Sequence, residues 1–294
     1  MIGHVPVLVG EVLEQLRPAR GGLFVDCTVG PGGHARAMLE AGATLVIGID
    51  RDPDALHEAR TTLAPWIERV ELVHADYREL DDVLDTRGID RIDGALADLG
   101  MSSLQIEAAG RGFSFQRDEP LDMRMDRTRG ETAAALLARA SEADLADAIF
   151  RYGEERYSRR IARAIVQARQ QQPIATTGRL AATVRRVVPR WTHARIDPAT
   201  RTFQALRIWI NRELEGLDRF LESVARRLRA GARIVVITFH SLEDRIVKHT
   251  LRALEKSDVA PVKVLTKKPL VPGDPERERN PRSRSAKLRA AERL

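Results

Sequence analysis

Cysteine is nearly missing from these 294 residues: Cys27 stands alone, which excludes an internal disulfide framework and fits a reducing compartment. Long apolar runs are missing too. Residues Met1 to Arg20 carry Glu11 and Glu14 among their apolar positions and have no basic region leading into an uninterrupted apolar core. Neither a signal peptide nor a membrane span is therefore expected, and a cytoplasmic soluble protein is the working expectation. The seven histidines and single cysteine show no metal-ligand spacing, so no structural metal is expected. There is no Gly-x-Ser-x-Gly elbow of the kind that exposes a hydrolase nucleophile, and no internal repeat or low-complexity linker.

What the first hundred residues do contain is a repeated device. Four apolar runs read as strands, and an aspartate closes each: Asp26 after Leu23 to Val25, Asp50 after Leu45 to Ile49, Asp76 after Val70 to His74, and Asp98 after Ile92 to Ala97. In an open parallel sheet ligands bind outside the carboxyl ends of the strands, so such carboxylates would line one crevice. Between the first two lies Thr28-Val29-Gly30-Pro31-Gly32-Gly33-His34, a glycine-rich turn opening a helix. The pattern points to a nucleotide-like cofactor. Gly30 and Gly32 match the dinucleotide fingerprint but Ala35 takes its third glycine position, so the turn alone does not choose between NAD and S-adenosylmethionine. Asp50 suits the ribose diol of either. Asp26, just before the turn, favours the second, because a pyrophosphate repels a carboxylate whereas sulfonium and ammonium groups attract one. The plainer alternative is that Asp26 caps the turn and Asp98 a helix.

Charge is segregated as well. The net charge is +6, yet Arg151 to Arg195 holds eleven arginines against Glu154 and Glu155, and Pro261 to Leu294 holds ten basic residues against four acidic ones. The remainder is acidic. Such segregation suggests a polyanion partner, most simply nucleic acid, although arginine-rich helices also serve as ordinary solvated faces.

The βα alternation runs through helices at His34 to Ala41, one opened by Asp52-Pro53, and Tyr77 to Leu84, then stops at Gly100. A loop-like stretch, Gly110 to Gly130, precedes helical patterns at Thr132 to Ala140, Glu142 to Phe150 and Arg156 to Gln170. A long helix is expected from Ala199 to Leu228, followed by a fifth strand, Arg233 to Phe239. Two edge strands, Val262 to Leu265 and Ala286 to Ala290, would flank a charged loop from Pro272 to Pro281. The economical account is an α/β sheet, residues 1–102 and 199–294, interrupted by a helical insertion at residues 103–198 that, with the basic tail, is the candidate for gripping RNA.

The stretch after the fourth strand is the most specific in the chain: Asp98-Leu99-Gly100-Met101-Ser102-Ser103-Leu104-Gln105, Arg111-Gly112-Phe113-Ser114-Phe115 and Pro120-Leu121-Asp122-Met123-Arg124-Met125-Asp126. Together with His4-Val5-Pro6-Val7-Leu8, Gly30 to His34, Tyr152-Gly153-Glu154-Glu155-Arg156, Pro198 to Ile208, Phe239 to Arg245 and Asn280 to Arg289, it resembles the bacterial small-subunit ribosomal RNA cytosine methyltransferases, the MraW family. The resemblance spans almost the whole chain. It implies a Rossmann-like S-adenosylmethionine-dependent methyltransferase sheet carrying a helical insertion. It also implies methyl transfer to the exocyclic N4 amine of a cytidine in the decoding region of 16S ribosomal RNA, within or near an assembled small subunit. By the same resemblance Gly32, Gly33, His34, Asp50, Tyr77, Asp98 and Gln105 would contact the cofactor.

The target amine is a weak nucleophile, since its lone pair is delocalised into the ring; it must be held in line with the methyl group and its proton removed. Related amino-methyltransferases carry Asp/Asn-Pro-Pro-aromatic after the fourth strand. Here Asp98-Leu99-Gly100-Met101 keeps only the carboxylate, so Asp98 is the expected catalytic anchor, orienting the cofactor, the amine or both. Stacking would come from Phe113 or Phe115, unless both are buried beneath the loop. His240-Ser241-Leu242-Glu243-Asp244 is expected to be a helix cap, Ser241 with Asp244, rather than a catalytic triad. Two rival classes remain: a non-catalytic RNA-binding assembly factor, against which the intact glycine turn argues, and an NAD-dependent oxidoreductase, against which Asp26 argues.

Overall fold

The computed structural model describes residues 6–189 and 196–294. His4 and Val5, and Arg190 and Arg195 of the basic stretch, lie outside the described residues. The chain divides into two compact units, Met1–Ser102 with Leu214–Leu294, and Ser103–Glu213.

The first unit opens with α1 (Val9–Leu16) and then alternates: β1 (Leu23–Asp26), α2 (Gly33–Glu40), β2 (Leu45–Asp50), α3 (Pro53–Thr62), β3 (Val70–His74), α4 (Leu80–Asp85) and β4 (Ile92–Asp98). All four strands sit where the apolar runs placed them. Asp52 caps α3 by accepting from the Asp54 N–H, with Pro53 in its first turn. The segment read as a helix from Tyr77 begins as one 3-10 turn, Tyr77–Glu79, before α4.

The second unit holds α5 (Ser103–Glu107), α6 (Ala133–Arg139), α7 (Glu142–Gly153), α8 (Ser158–Gln171), α9 (Thr177–Val187) and α10 (Ala199–Asn211). Threonine or serine caps open α6, α7 and α9. Leu136, Leu145, Ile149, Ile161, Ile165, Leu180, Val184 and Leu206 are buried at helical spacing. Between α5 and α6 the chain is irregular, as the loop expectation had it, and is tied down by side chains. Asn211 accepts from the Met125 N–H and donates to the Met123 carbonyl. Glu119 accepts from the N–H groups of Gly110 and Gly112.

The chain then returns to the first unit through α11 (Leu217–Arg227), β5 (Leu228–Thr238), α12 (Ser241–Leu254), β6 (Val262–Val264), α13 (Asp274–Arg279) and β7 (Lys287–Arg293). Three expectations are corrected here. The helix expected from Ala199 to Leu228 is two: Arg212 adopts a left-handed conformation (φ 51°) that closes α10, and Gly216 (φ 69°) starts α11. The charged stretch Pro272 to Pro281 is not all loop but contains α13, which has proline in its first turn. Of the two expected edge strands only β6 lies at an edge, because β7 pairs with both β5 and β6.

The sheet order is β3-β2-β1-β4-β5-β7-β6, with β7 antiparallel to its neighbours and β1 to β5 parallel. This is a Rossmann-like, doubly wound α/β sheet. Chain order runs outward in opposite directions from β1 and β4, so the switch point lies between them. Apolar clusters built around Ile47, Leu96, Ile234 and Ile237 hold helices to the strands. None of the described helices is long and apolar enough to cross a membrane.

Candidate active site

Strand register alone gathers three carboxylates. Asp26 of β1 pairs with Leu96 of β4, two residues before Asp98, and with Gly48 of β2, two residues before Asp50. Residues two apart on a strand face the same way, so Asp26, Asp50 and Asp98 leave the carboxyl edge of the sheet on one side, at the switch point. Gly48 lies where a Cβ would come within 2.8 Å of the Val29 side chain, so its lack of a side chain lets the turn pack onto β2.

The glycine turn is built onto these carboxylates. Val29 donates its N–H to the Ile49 carbonyl, and Gly30 donates to Asp50 Oδ2 at 2.8 Å. Asp50 Oδ1 accepts from the Asp52 N–H at 2.8 Å, while Thr28 Oγ1 accepts from the Asp98 N–H at 2.6 Å. Gly32 caps α2 at φ 91°, a conformation costly for any residue with a Cβ, and a Cβ there would meet Leu63 at 3.0 Å. Gly33 begins the helix, where a Cβ would meet the Pro6 ring at 3.0 Å.

His34, nearly buried in the first turn of α2, connects that segment to Asp98. Its Nε2 lies 2.9 Å from the Val7 carbonyl, which can only accept, so Nε2 carries the proton and Nδ1 faces Asp98 Oδ2 at 3.7 Å. This gives the Pro6-Val7-Leu8 motif a physical role: it covers the start of α2 and orients the imidazole.

The electrostatics separate the four aspartates sharply. Asp26 is 1% exposed, and its Oδ2 has no hydrogen-bond partner among the described residues. Burial pushes its carboxyl up to about 7, the Thr28 N–H opposes this, and the charge of Asp50 adds to it. Burial likewise raises Asp50 to about 6 against the N–H groups of Asp52 and Gly30. Asp98 also keeps an unpartnered buried oxygen, Oδ1; burial, then Asp26 and Glu243, push its carboxyl well above the usual range. Glu243 is itself 2% exposed. Asp76 is the exception. It accepts from Arg78 Nε and Nη2 at 2.7 and 2.6 Å and from Arg51 at 3.3 Å, and forms a capping box with Glu79. Burial raises its carboxyl, but the two guanidiniums outweigh that and leave it below the ordinary range.

Two buried carboxylate oxygens without donors, beside a glycine turn at a switch point, form a cradle suited to a cationic ligand. That chemistry fits the sulfonium and ammonium groups of S-adenosylmethionine.

The other expected contacts lie on other elements. Tyr77, just beyond β3, packs its ring 4.7 Å from that of Phe220 on α11. Gln105 is buried in α5 of the second unit. The loop phenylalanines are already occupied: Phe113 is 8% exposed with Arg111 over its ring, and Phe115 lies 4.8 Å from Phe203 with Arg185 above it. Neither is a free stacking platform.

The cap of α12 is a further correction. His240, not Ser241, is the cap, and Glu243, not Asp244, completes the box, because the Phe239 and His240 N–H groups reach Glu243 Oε2. Asp244 instead receives Arg289 at 2.6 Å and Lys287 at 3.5 Å, so these two cations of the basic C-terminal stretch serve the fold.

Missed by the sequence reading were the roles of Thr28, of Glu243 and of the imidazole of His34. Each belongs to a short motif, but only the pairing of β4 with both β1 and β5 shows that they converge.

The MraW methylase family matches residues 1–294. A relative from Geotalea uraniireducens, named ribosomal RNA small subunit methyltransferase H, is 49% identical over 308 residues, covering 99% of this chain and 98% of its own. Proteins of the same name from Sorangium cellulosum and Synechococcus elongatus are 51% and 50% identical, covering 99% of this chain and 91% and 95% of theirs. With about half of all positions identical from end to end, and the family of the sequence motifs recovered over the whole length, this chain belongs to the MraW methylase family.

Proposed function

We propose that this ribosomal RNA methyltransferase moves a methyl group from S-adenosylmethionine to the exocyclic N4 amine of a cytidine in the decoding region of 16S ribosomal RNA, presented by the small subunit in the cytoplasm. The observation that carries the reading is the pair of unpartnered buried carboxylate oxygens, Asp26 Oδ2 and Asp98 Oδ1.

In this reading Gly32, Gly33 and the backbone of His34 hold the donor along the glycine turn, Asp50 takes its ribose, Tyr77 flanks its adenine, and Asp98 and Gln105 complete the pocket. S-adenosylmethionine supplies an electrophilic methyl group on a positively charged sulfur, which becomes a neutral thioether on transfer. The positive charge favours ionised Asp26 and Asp98. Asp98, ionised, accepts a hydrogen bond from the target N–H and sets the amine in line. As the N4–methyl bond forms, the amine sheds one proton, and an Asp98 carboxylate of raised pKa is a suitable base for it. His34 Nδ1, the acceptor nitrogen of a neutral imidazole whose Nε2–H donates to the Val7 carbonyl, lies 3.7 Å from Asp98 Oδ2 and can take that proton onward.

The test is mass spectrometry of nucleosides from 16S ribosomal RNA incubated with the purified protein and methyl-labelled S-adenosylmethionine. Label in N4-methylcytidine is expected. Label in another nucleoside would overturn the assignment of the acceptor, and no label at all would favour the assembly-factor alternative.

A further inference from the structure

Within the second unit, α7 and α8 border a groove of about 870 Å³ whose wall combines two aromatic rings with a row of guanidiniums. Phe150, near the end of α7, is 61% exposed, whereas Leu145, Ala148 and Ile149 of the same helix are buried. A single exposed ring is ordinary on a protein surface, but this one lines a groove together with Arg156, Arg159, Arg160 and Arg163. Tyr157 stands just before α8 with the Arg156 guanidinium 4.7 Å from its ring centre.

The first turns of α8 turn Ile161, Ala162 and Ile165 inward and leave Arg159, Arg160 and Arg163 exposed. Among the described residues no side-chain hydrogen bond or ion pair engages Arg159 or Arg160. Arg163 meets only Glu142, across an exposed gap of 3.4 Å, and such a pair is weak and readily exchanged for a phosphate. An exposed ring on which any base can stack, set among guanidiniums that take phosphates, is the chemistry of single-stranded nucleic-acid binding.

We propose that this α7–α8 groove is a docking surface for a single-stranded segment of the RNA substrate, with Phe150 stacking a base and Arg159 and Arg160 holding the phosphates. The inference rests on ribosomal RNA being the substrate and adds the place where it is gripped. An acidic protein segment would also suit the arginines, but it would not use the exposed ring of Phe150, so RNA is the occupant the groove favours.

The experiment measures binding of purified 16S ribosomal RNA against salt concentration for the wild type, an Arg159→Ala, Arg160→Ala double variant, and Phe150→Ala. All the changed residues are exposed, so melting temperatures and S-adenosylmethionine affinity are expected to stay at wild-type values. Loss of two phosphate contacts should flatten the plot of log affinity against log salt by about 1.4 and weaken binding roughly tenfold at moderate salt. Phe150→Ala should weaken binding about fivefold or more with no change of slope. An Arg159→Lys, Arg160→Lys variant should restore the slope. Wild-type affinity and slope in both alanine variants, with methylation intact, would overturn the groove while leaving the proposed reaction standing. Failure of the wild type itself to bind the RNA would overturn both.

Discussion

The carboxyl edge of the sheet and the α7–α8 face use charge in opposite ways. At the sheet edge the charges are few, negative and buried, and two of their oxygens lack donors among the described residues. On the first turns of α8 they are positive and exposed, and among the described residues Arg159 and Arg160 have no ion-pair partner and Arg163 only an exposed one in Glu142. A buried ionisable group without a partner is costly, which makes it selective for one small ligand of the opposite charge. Exposed arginines cost almost nothing, and grip any polyanion through counterion release. The contrast recurs inside the first unit. Asp76 stands at a strand end like Asp26, yet Arg51 and Arg78 already neutralise it.

The largest expected effect breaks the sheet edge outright. Asp98→Ala should lower single-turnover methyl transfer by about 10²- to 10⁴-fold. Near-normal turnover in the folded variant would mean that another residue handles the amine. Next, Asp26→Asn and Asp76→Asn should part company. Asp26→Asn should weaken S-adenosylmethionine binding by about tenfold, equivalent to about 1.4 kcal/mol, and at pH 8 stabilise the ligand-free protein by removing a buried charge. Asp76→Asn should leave the affinity within about twofold but cost about 0.5–2 kcal/mol of stability as its cap and ion pairs weaken. Calorimetry and thermal melts separate the two, and equal effects on affinity would erase the distinction drawn between them.

Stability against pH sharpens the same comparison. Asp26 and Asp50 have folded-state values raised from 3.8 to about 7 and about 6. A raised carboxyl contributes stability that is complete below 3.8 and is lost as pH climbs through the folded value. The ligand-free protein should therefore lose part of its stability between about pH 4 and pH 7, and Asp26→Asn should lose less. Denaturant titrations across that range would show the difference. Gly32→Ala, whose φ of 91° costs an L-residue about 1–2 kcal/mol, should lower the melting temperature by an amount comparable to that of Asp76→Asn.

Much of this was legible in the sequence because its strongest signals are local. An apolar run ending in aspartate specifies a strand and its boundary, and β1 to β4 fall where those runs lie. The break between α10 and α11 was not legible. The apolar spacing continues through it, and the left-handed Arg212 follows Asn211, whose side chain is held by a distant loop at Met123 and Met125. In the candidate site the glycine turn, Asp50 and Asp98 were visible as residues. That one oxygen each of Asp26 and Asp98 has no donor among the described residues, while Asp76 is held by two guanidiniums, was not, because it depends on where Arg51 and Arg78 fold to. His240 took the cap expected of Ser241 for a similar reason: both can accept, and only the entry angle of the chain into α12 selects one.

The most direct test is calorimetric titration of S-adenosylmethionine between pH 5 and pH 7 in buffers of differing ionisation enthalpy. If raised carboxyls at the switch point receive the cationic donor, binding must release protons there, and affinity must rise with pH until Asp26 and Asp50 are ionised. Binding without proton release, and equally tight at both ends of that range, would contradict the account.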